Sequence, residues 1–164
     1  MGKGDRLGWV LGLTRIAMGF IFLWAFLDKT FGLGFSTLGG KSWIAGGSPT
    51  SGFLAFAVKG PFASFYHILA GNVFVDWIFM IGLLFIGISL ILGIFNKLST
   101  YSGSILLFLM YSALLLPENN PVIDDHIIYI LLLFTLYYSK AGENLGLSKG
   151  WKKTSLVRRF PILE

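Results

Sequence analysis

The sequence predicts an all-α membrane protein: a bundle of four transmembrane helices, with short interfacial helices on the outer side between the first and the second. Three observations carry this. Hydrophobic residues make up 55% of the chain and charged residues only 13%, against about 25% charged in a soluble domain, so a fold of this length has too little polar surface to face water. The apolar residues fall in four continuous runs, each close to the roughly 20 residues that cross a bilayer core. Basic residues gather at alternate ends of those runs.

The runs cover 7–31, 76–95, 98–116 and 122–141. They are continuously apolar rather than alternating, so each is a helix and not a barrel strand. The first is too long for the apolar core of a signal peptide, and no small-residue cleavage site follows it. Around Asn96-Lys97 the second and third runs are so close that they form an antiparallel hairpin. Pro117, Asn119, Asn120 and Pro121 mark the next turn by composition. Ser89 with Gly93, and Ser99 with Gly103, are small pairs at helical spacing that admit close helix approach. Residues 1–141 then form the membrane domain and 142–164 a basic cytoplasmic tail.

Orientation follows from counting cations. Lys3, Arg6, Lys97, Lys140, Lys149, Lys152, Lys153, Arg158 and Arg159 share one side; Lys29, Lys41 and Lys59 lie on the other, with Asp76, Glu118, Asp124 and Asp125. Both termini are therefore expected in the cytoplasm of a multi-pass plasma-membrane protein. The net charge of +5 follows this membrane pattern and not that of a nucleic-acid surface. With no cysteine in the chain, disulfides, thiolate metal sites and thiol redox chemistry are excluded.

The segment 32–75 is long for a loop and too aromatic for disorder. Glycine pairs and Ser48-Pro49 divide it. Residues 51–58 read as one short apolar helix and Gly60-Pro61 opens a second, with Phe62, Phe65, Tyr66 and Leu69 at helical spacing. Both are expected at the outer interface, held by Trp43 and the phenylalanines. The tail, with Trp151, is expected along the anionic cytoplasmic leaflet.

Ionisable groups inside apolar spans are costly, which makes them the first candidates for function. Arg15, Gly19, Phe22, Phe26 and Lys29 form one stripe of the first helix, expected to face the bundle interior. It reads as a slot for an amphipathic or anionic ligand, or as two cations snorkelling to opposite headgroup layers. The second cluster opens the fourth helix. Asp124 suits an N-cap, but Asp125, His126 and, one turn on, Tyr129 exceed what a cap needs. A histidine beside carboxylates can relay protons, and with Tyr129 could bond and protonate a quinone carbonyl; the plain alternative is a cap with an interfacial histidine. Glu118 adds a nearby carboxylate. His67, on the same side, reads as a lid residue or an interfacial polar tip, with a metal pairing to His126 poorly supported by spacing. Tyr111 lines the same pocket or belongs to the aromatic belt. Asp76 reads as the N-cap of the second helix, and Asp28 as facing Lys59 or solvent. No haem, flavin or metal site is evident, nor a nucleophile elbow, phosphate loop or dinucleotide fingerprint.

These residues bring out a likeness. The pattern Arg15-x3-Gly19-x2-Phe22-x3-Phe26-x2-Lys29, the stretches Gly60-Pro61-Phe62-Ala63, Val75-Asp76-Trp77 and Gly82-Leu83-Leu84, and the string from Pro117 to Tyr129 resemble the DoxX/DoxD family of small membrane proteins. The family usually carries glycine where this chain has Phe26, so the stripe is bulkier here. The resemblance implies a four-helix membrane bundle and a link to quinone reduction, since DoxD is similar to a subunit of thiosulfate:quinone oxidoreductase. On a quinone reading His126 is expected as proton donor oriented by Asp125, with Tyr129 or Tyr111 on the other carbonyl and Arg15, Lys29 and His67 around the quinone. Expected partners are the lipid bilayer, a redox subunit or soluble donor, and further copies of the chain, with no nucleic acid. Relatives of this fold also act as assembly factors and cargo receptors, which implies the alternative of a non-catalytic protein binding lipid or a partner helix. A transporter is disfavoured by the lack of internal symmetry and of broken helices.

Overall fold

The computed structural model describes residues 3–117 and 120–164, without the side chains of 3–5. Every regular element among them is helical, and there is no strand. Helix α1 runs Lys3–Phe31. It ends because Gly32 takes a left-handed turn (φ 67°) and because Asp28 reaches past the helix end: its carboxylate accepts from Phe35 N–H (3.2 Å), Ser36 N–H (3.0 Å) and Ser36 Oγ (2.6 Å). Asp28 is buried and serves its own loop rather than Lys59 or solvent.

The following segment is the cap. It holds single 3-10 turns at Gly39–Lys41 and Trp43–Ala45, a π-helical turn at Phe53–Ala57 and the short helix α2, Ala63–Ile68. The two short helices expected here are thus present. The cap is tied down by Tyr66, whose hydroxyl donates to Leu109 O (3.1 Å) and shares a hydrogen bond with Ser112 Oγ (2.5 Å). Lys59 N–H donates to Ala113 O (3.0 Å), and Leu54, Val58, Tyr66 and Ala113 form a small second core.

Helix α3 runs Val73–Leu92. Its N-cap is Asn72, which accepts from the N–H groups of Phe74 and Val75. Asp76, expected to be this cap, sits one turn inside and is buried. There its Oδ1 accepts from Ser48 Oγ (2.9 Å), Thr50 N–H (3.1 Å) and Thr50 Oγ1 (2.6 Å). Asn72 wins the cap because the helix starts three residues earlier than the apolar run alone indicates. Gly93 (φ 70°) ends α3, and Phe95 (φ 51°) opens α4, Asn96–Ala113. Helix α5, Asp125–Tyr138, is capped by Asp124. It is 14 residues long, or roughly 21 Å at 1.5 Å per residue, and is cut short by Lys140 in a left-handed conformation (φ 55°).

Helices α1, α3, α4 and α5 alternate in direction, so the bundle has a cap end and a tail end. The most extensive packing is α1 on α3, followed by α4 on α5 and then α3 on α4, while α1 and α5 touch sparingly. The core between them is Met18, Phe22, Met80, Leu83, Ile86, Leu90, Leu107, Leu133, Leu136 and Ala141. The closest approach is made by glycines. A methyl group on Gly87 would lie 2.7 Å from Leu23 N, and one on Gly19 2.9 Å from Gly87 O. Gly103 likewise faces Leu133, but Gly93 is no helix-packing residue, since it forms the turn.

Residues 142–164 fold back under the α3–α4 turn as helices α6 (Ser148–Trp151) and α7 (Ser155–Arg159). Leu147 N–H donates to Leu92 O (2.9 Å), Lys97 N–H to Glu164 O (2.9 Å) and Trp151 Nε1–H to Leu163 O (2.7 Å). Trp151 also packs on Phe95 at 4.6 Å.

Two helical stretches, Arg6–Phe31 and Val73–Leu92, are long and apolar enough to cross a membrane.

Candidate functional site

At the cap end, the backbone of Asp124 is extended, which turns its carboxylate over the first turn of α5. One oxygen accepts from the N–H groups of His126 (3.0 Å) and Ile127 (3.3 Å). The other lies 2.7 Å from His126 Nδ1. An ionised carboxylate only accepts hydrogen bonds, so Nδ1 carries the hydrogen and Nε2 of a neutral ring is left with its lone pair. Nε2 has no hydrogen-bond partner among the described residues. Both side chains are largely shielded, at 18% and 16% exposed. A histidine held by a carboxylate, with the opposite nitrogen open, is an arrangement for moving a proton.

The orienting acid is therefore Asp124 and not Asp125, which is exposed and makes no hydrogen bond among the described residues. The reason is register: the cap residue's side chain points back along the first turn, and the next residue's points away. Tyr129 follows one turn on, half-buried, and packs against the upper core together with Phe26, Trp43 and Phe79. Trp43 meets Trp77 edge-on at 4.7 Å.

The stripe on α1 faces inward as expected. Arg15, Gly19 and Phe22 are buried, and Phe26 and Lys29 half-buried. Its two cations have opposite fates. Lys29, at the cap end, makes no hydrogen bond or ion pair with a described residue. Arg15, at the tail end, is 1% exposed. Its Nε donates to Ala141 O (3.3 Å), Nη1 to Leu90 O and Ile91 O (2.9 Å to the latter), and Nη2 to Asn144 O (3.2 Å) and Leu145 O (2.9 Å). A guanidinium has five N–H groups, and five carbonyls take them. Arg15 neither snorkels nor keeps a donor for a ligand. It completes the end of α3, whose last four carbonyls need outside partners: Ser89 O accepts from Gly93 and Ile94, Leu90 and Ile91 from Arg15, and Leu92 from Leu147. The positive charge also suits the negative end of the helix.

The remaining expected residues are placed apart. Tyr111 donates its hydroxyl to Val122 O (2.7 Å), pinning the α4–α5 connection. His67 is exposed on α2, and α2 docks through its neighbour Tyr66 instead. Among the described residues no three of His, Asp and Glu converge closely enough to hold a metal ion. Glu118 lies outside the described residues.

Sequence reasoning missed Asp124 as the orienting acid, Ser48 and Thr50 as partners of Asp76, and the glycine cradle around Arg15. A methyl group on Gly12 would lie 2.8 Å from Asn144 O, on Gly93 3.1 Å from Arg15 Cζ, and on Gly146 2.9 Å from Arg15 Nη2. The available signal was Gly8, Gly12 and Gly19 recurring with Arg15 on one side of the first helix. Compared with family models, curated proteins and solved structures, the chain finds no match in any of the three.

Proposed function

We propose that this chain is an integral plasma-membrane protein of four transmembrane helices, with the tail end and both termini in the cytoplasm, and that its cap end serves a quinone-linked oxidoreductase of the DoxX/DoxD kind. The observation that carries the membrane reading is the belt of exposed apolar side chains on all four long helices. Leu7, Val10 and Phe20 on α1, Ile78 and Ile81 on α3, Ile105 and Phe108 on α4, and Ile128 and Leu131 on α5 are each at least half exposed, while Arg15, Asp28, Asp76 and Ser99 are buried. The accessible surface of 9750 Å² also exceeds the roughly 8,100 Å² of a compact soluble monomer of this mass. Helix α5 is shorter than the ~30 Å hydrocarbon core, which local thinning of the bilayer accommodates.

The quinone reading rests on the His126–Asp124 pair. Reduction of a quinone to a quinol takes two electrons and two protons. The electrons come from a partner subunit or a soluble donor such as thiosulfate. His126 Nε2, when protonated, donates to a quinone oxygen while Asp124 holds the ring at Nδ1, and Tyr129 bonds nearby; the second proton comes from water. A second reading, a non-catalytic protein that binds a partner or lipid, is favoured by Arg15, whose donors are all taken by the fold.

Two experiments test this. The chain has no native cysteine, so Thr37→Cys and Lys149→Cys report topology: an impermeant thiol reagent outside intact cells labels the first and not the second. The opposite labelling, or a protein soluble without detergent, overturns the membrane reading. For the quinone, His126→Gln lowers quinone reduction by about 100-fold, in the range for loss of a general acid; wild-type rates in that variant leave the second reading standing.

A further inference from the structure

The tail end carries a cavity of about 160 Å³ between α4, α5 and the folded-back tail, lined by Asn96, Tyr137, Lys140, Ser148, Lys152 and Glu164 among others. We infer that it holds the head group of a zwitterionic phospholipid bearing a primary ammonium, a reading that rests on the membrane placement proposed above. Among the described residues the lining includes the charged side chains of Lys140, Lys152 and Glu164. Lys152 bonds Glu143 (3.2 Å) and Glu164 (2.7 Å), and Lys140 makes no side-chain hydrogen bond or ion pair with a described residue. Cations and carboxylates stand there together, which suits a ligand that itself carries both signs of charge. The cavity offers one lone ammonium, Lys140, for a phosphodiester, and a half-exposed carboxylate, Glu164, for an ammonium that donates hydrogen bonds. A cavity of this size takes a group about as large as benzene, which suits a small head group.

Two further observations point the same way. Lys140 sits at φ 55°, a left-handed position where glycine is cheaper, yet the residue there is a lysine that lines the cavity. From Tyr138, which also lines the cavity, an aromatic surface leads along the bundle: exposed Tyr138 stacks on Phe134 at 6.2 Å, and Phe134 meets exposed Tyr101 edge-on at 5.6 Å. Ring faces at headgroup depth followed by apolar surface match the glycerol and acyl parts of a phospholipid.

The left-handed backbone makes the test decisive, because Lys140→Gly removes the ammonium while relieving the backbone. The full chain in detergent is offered phosphatidylethanolamine, phosphatidylcholine, phosphatidylglycerol or inorganic phosphate, and adducts are counted by native mass spectrometry. The expected result is one phosphatidylethanolamine per chain, retained in preference to the other lipids. Lys140→Gly loses it by about tenfold, the effect of one charge-assisted hydrogen bond, with a melting temperature at or above that of the wild type. Lys140→Asn, which also tolerates the left-handed region, shows the same loss. Equal retention of phosphatidylcholine or phosphatidylglycerol, binding of phosphate without lipid, or unchanged retention in both variants overturns the inference. A protein that needs no detergent fails the membrane reading instead, so the two failures are told apart.

Discussion

At the tail end Arg15 holds five backbone carbonyls from two separate segments, whereas at the cap end, among the described residues, the His126 ring bonds only Asp124 and leaves Nε2 without a partner, and Lys29 on the same stripe as Arg15 has no hydrogen bond or ion pair. Both ends bury ionisable groups, and both looked like candidates for chemistry. The difference lies in how many partners each group has. A cation whose every donor is taken by main-chain carbonyls is part of the scaffold, and a polar group that keeps an unbonded atom is available to a ligand. Burial alone does not separate the two cases.

The sharpest way to break this contrast is to remove the two cations in turn. Arg15→Met takes a donor from five carbonyls, of which only Ala141 O keeps another among the described residues, the N–H of Asn144 (3.1 Å), and is expected to cost about 3–5 kcal/mol, the range for breaking a buried charged network. Arg15→Lys keeps the charge but offers three donors where five are used, and is expected to cost about 2–3 kcal/mol. Lys29→Met is expected to stay within about 1 kcal/mol. Reversible unfolding in detergent measures all three, and equal losses at positions 15 and 29 would erase the distinction between the ends. Next comes the anchor between the cap and α3: Asp76→Ala strands Ser48 and Thr50 and is expected to cost about 1–3 kcal/mol, with faster proteolysis near Gly46-Gly47 as its local signature.

The His126 pair is sharpened by a quieter substitution. Asparagine caps a helix as well as aspartate does, so Asp124→Asn is expected to change stability by only about 0.5 kcal/mol, yet it puts an amide where the ring requires an acceptor. Quinone reduction then falls by at least about tenfold, while Asp125→Asn stays within about twofold of wild type; the reverse order would return the orienting role to Asp125. The smallest expected effect is at the tail. Hydrogen bonding to Glu164, and then to Glu143, raises the Lys152 pKa above the usual lysine value against the opposing effect of burial. A raised lysine pKa stabilises the fold below the unfolded value, about 10.4, and that contribution is lost as pH rises through the folded value. Melting at pH 8 and at pH 11 should thus differ more for wild type than for Lys152→Met.

What could be read along the chain, and what could not, follows the same division. The four long helices were legible because their signal is local: uninterrupted apolar runs, with Gly32 just past the end of the first; Gly93, which ends α3, lies inside the second run and was not legible as its end. The inward stripe of α1 was legible from its 3.6-residue period. The partners were not. Arg15 and Ala141 are 126 positions apart, and no spacing rule connects a cation to a main-chain carbonyl that far along the chain. Asp124 and Asp125 are neighbours in sequence, and only the residue at which the helix begins decides which carboxylate turns back toward His126.

By itself, then, the sequence determined an all-helical chain with at least two segments apolar enough to cross a bilayer, because hydrophobicity and helical period act over a few residues at a time. Only the tertiary structure decided that the tail seals the α3–α4 turn, that Arg15 is scaffold and that Asp124 holds His126 at Nδ1. The physical reason is that a buried donor must find an acceptor wherever the packing brings one within about 3 Å, and packing is a property of the whole fold.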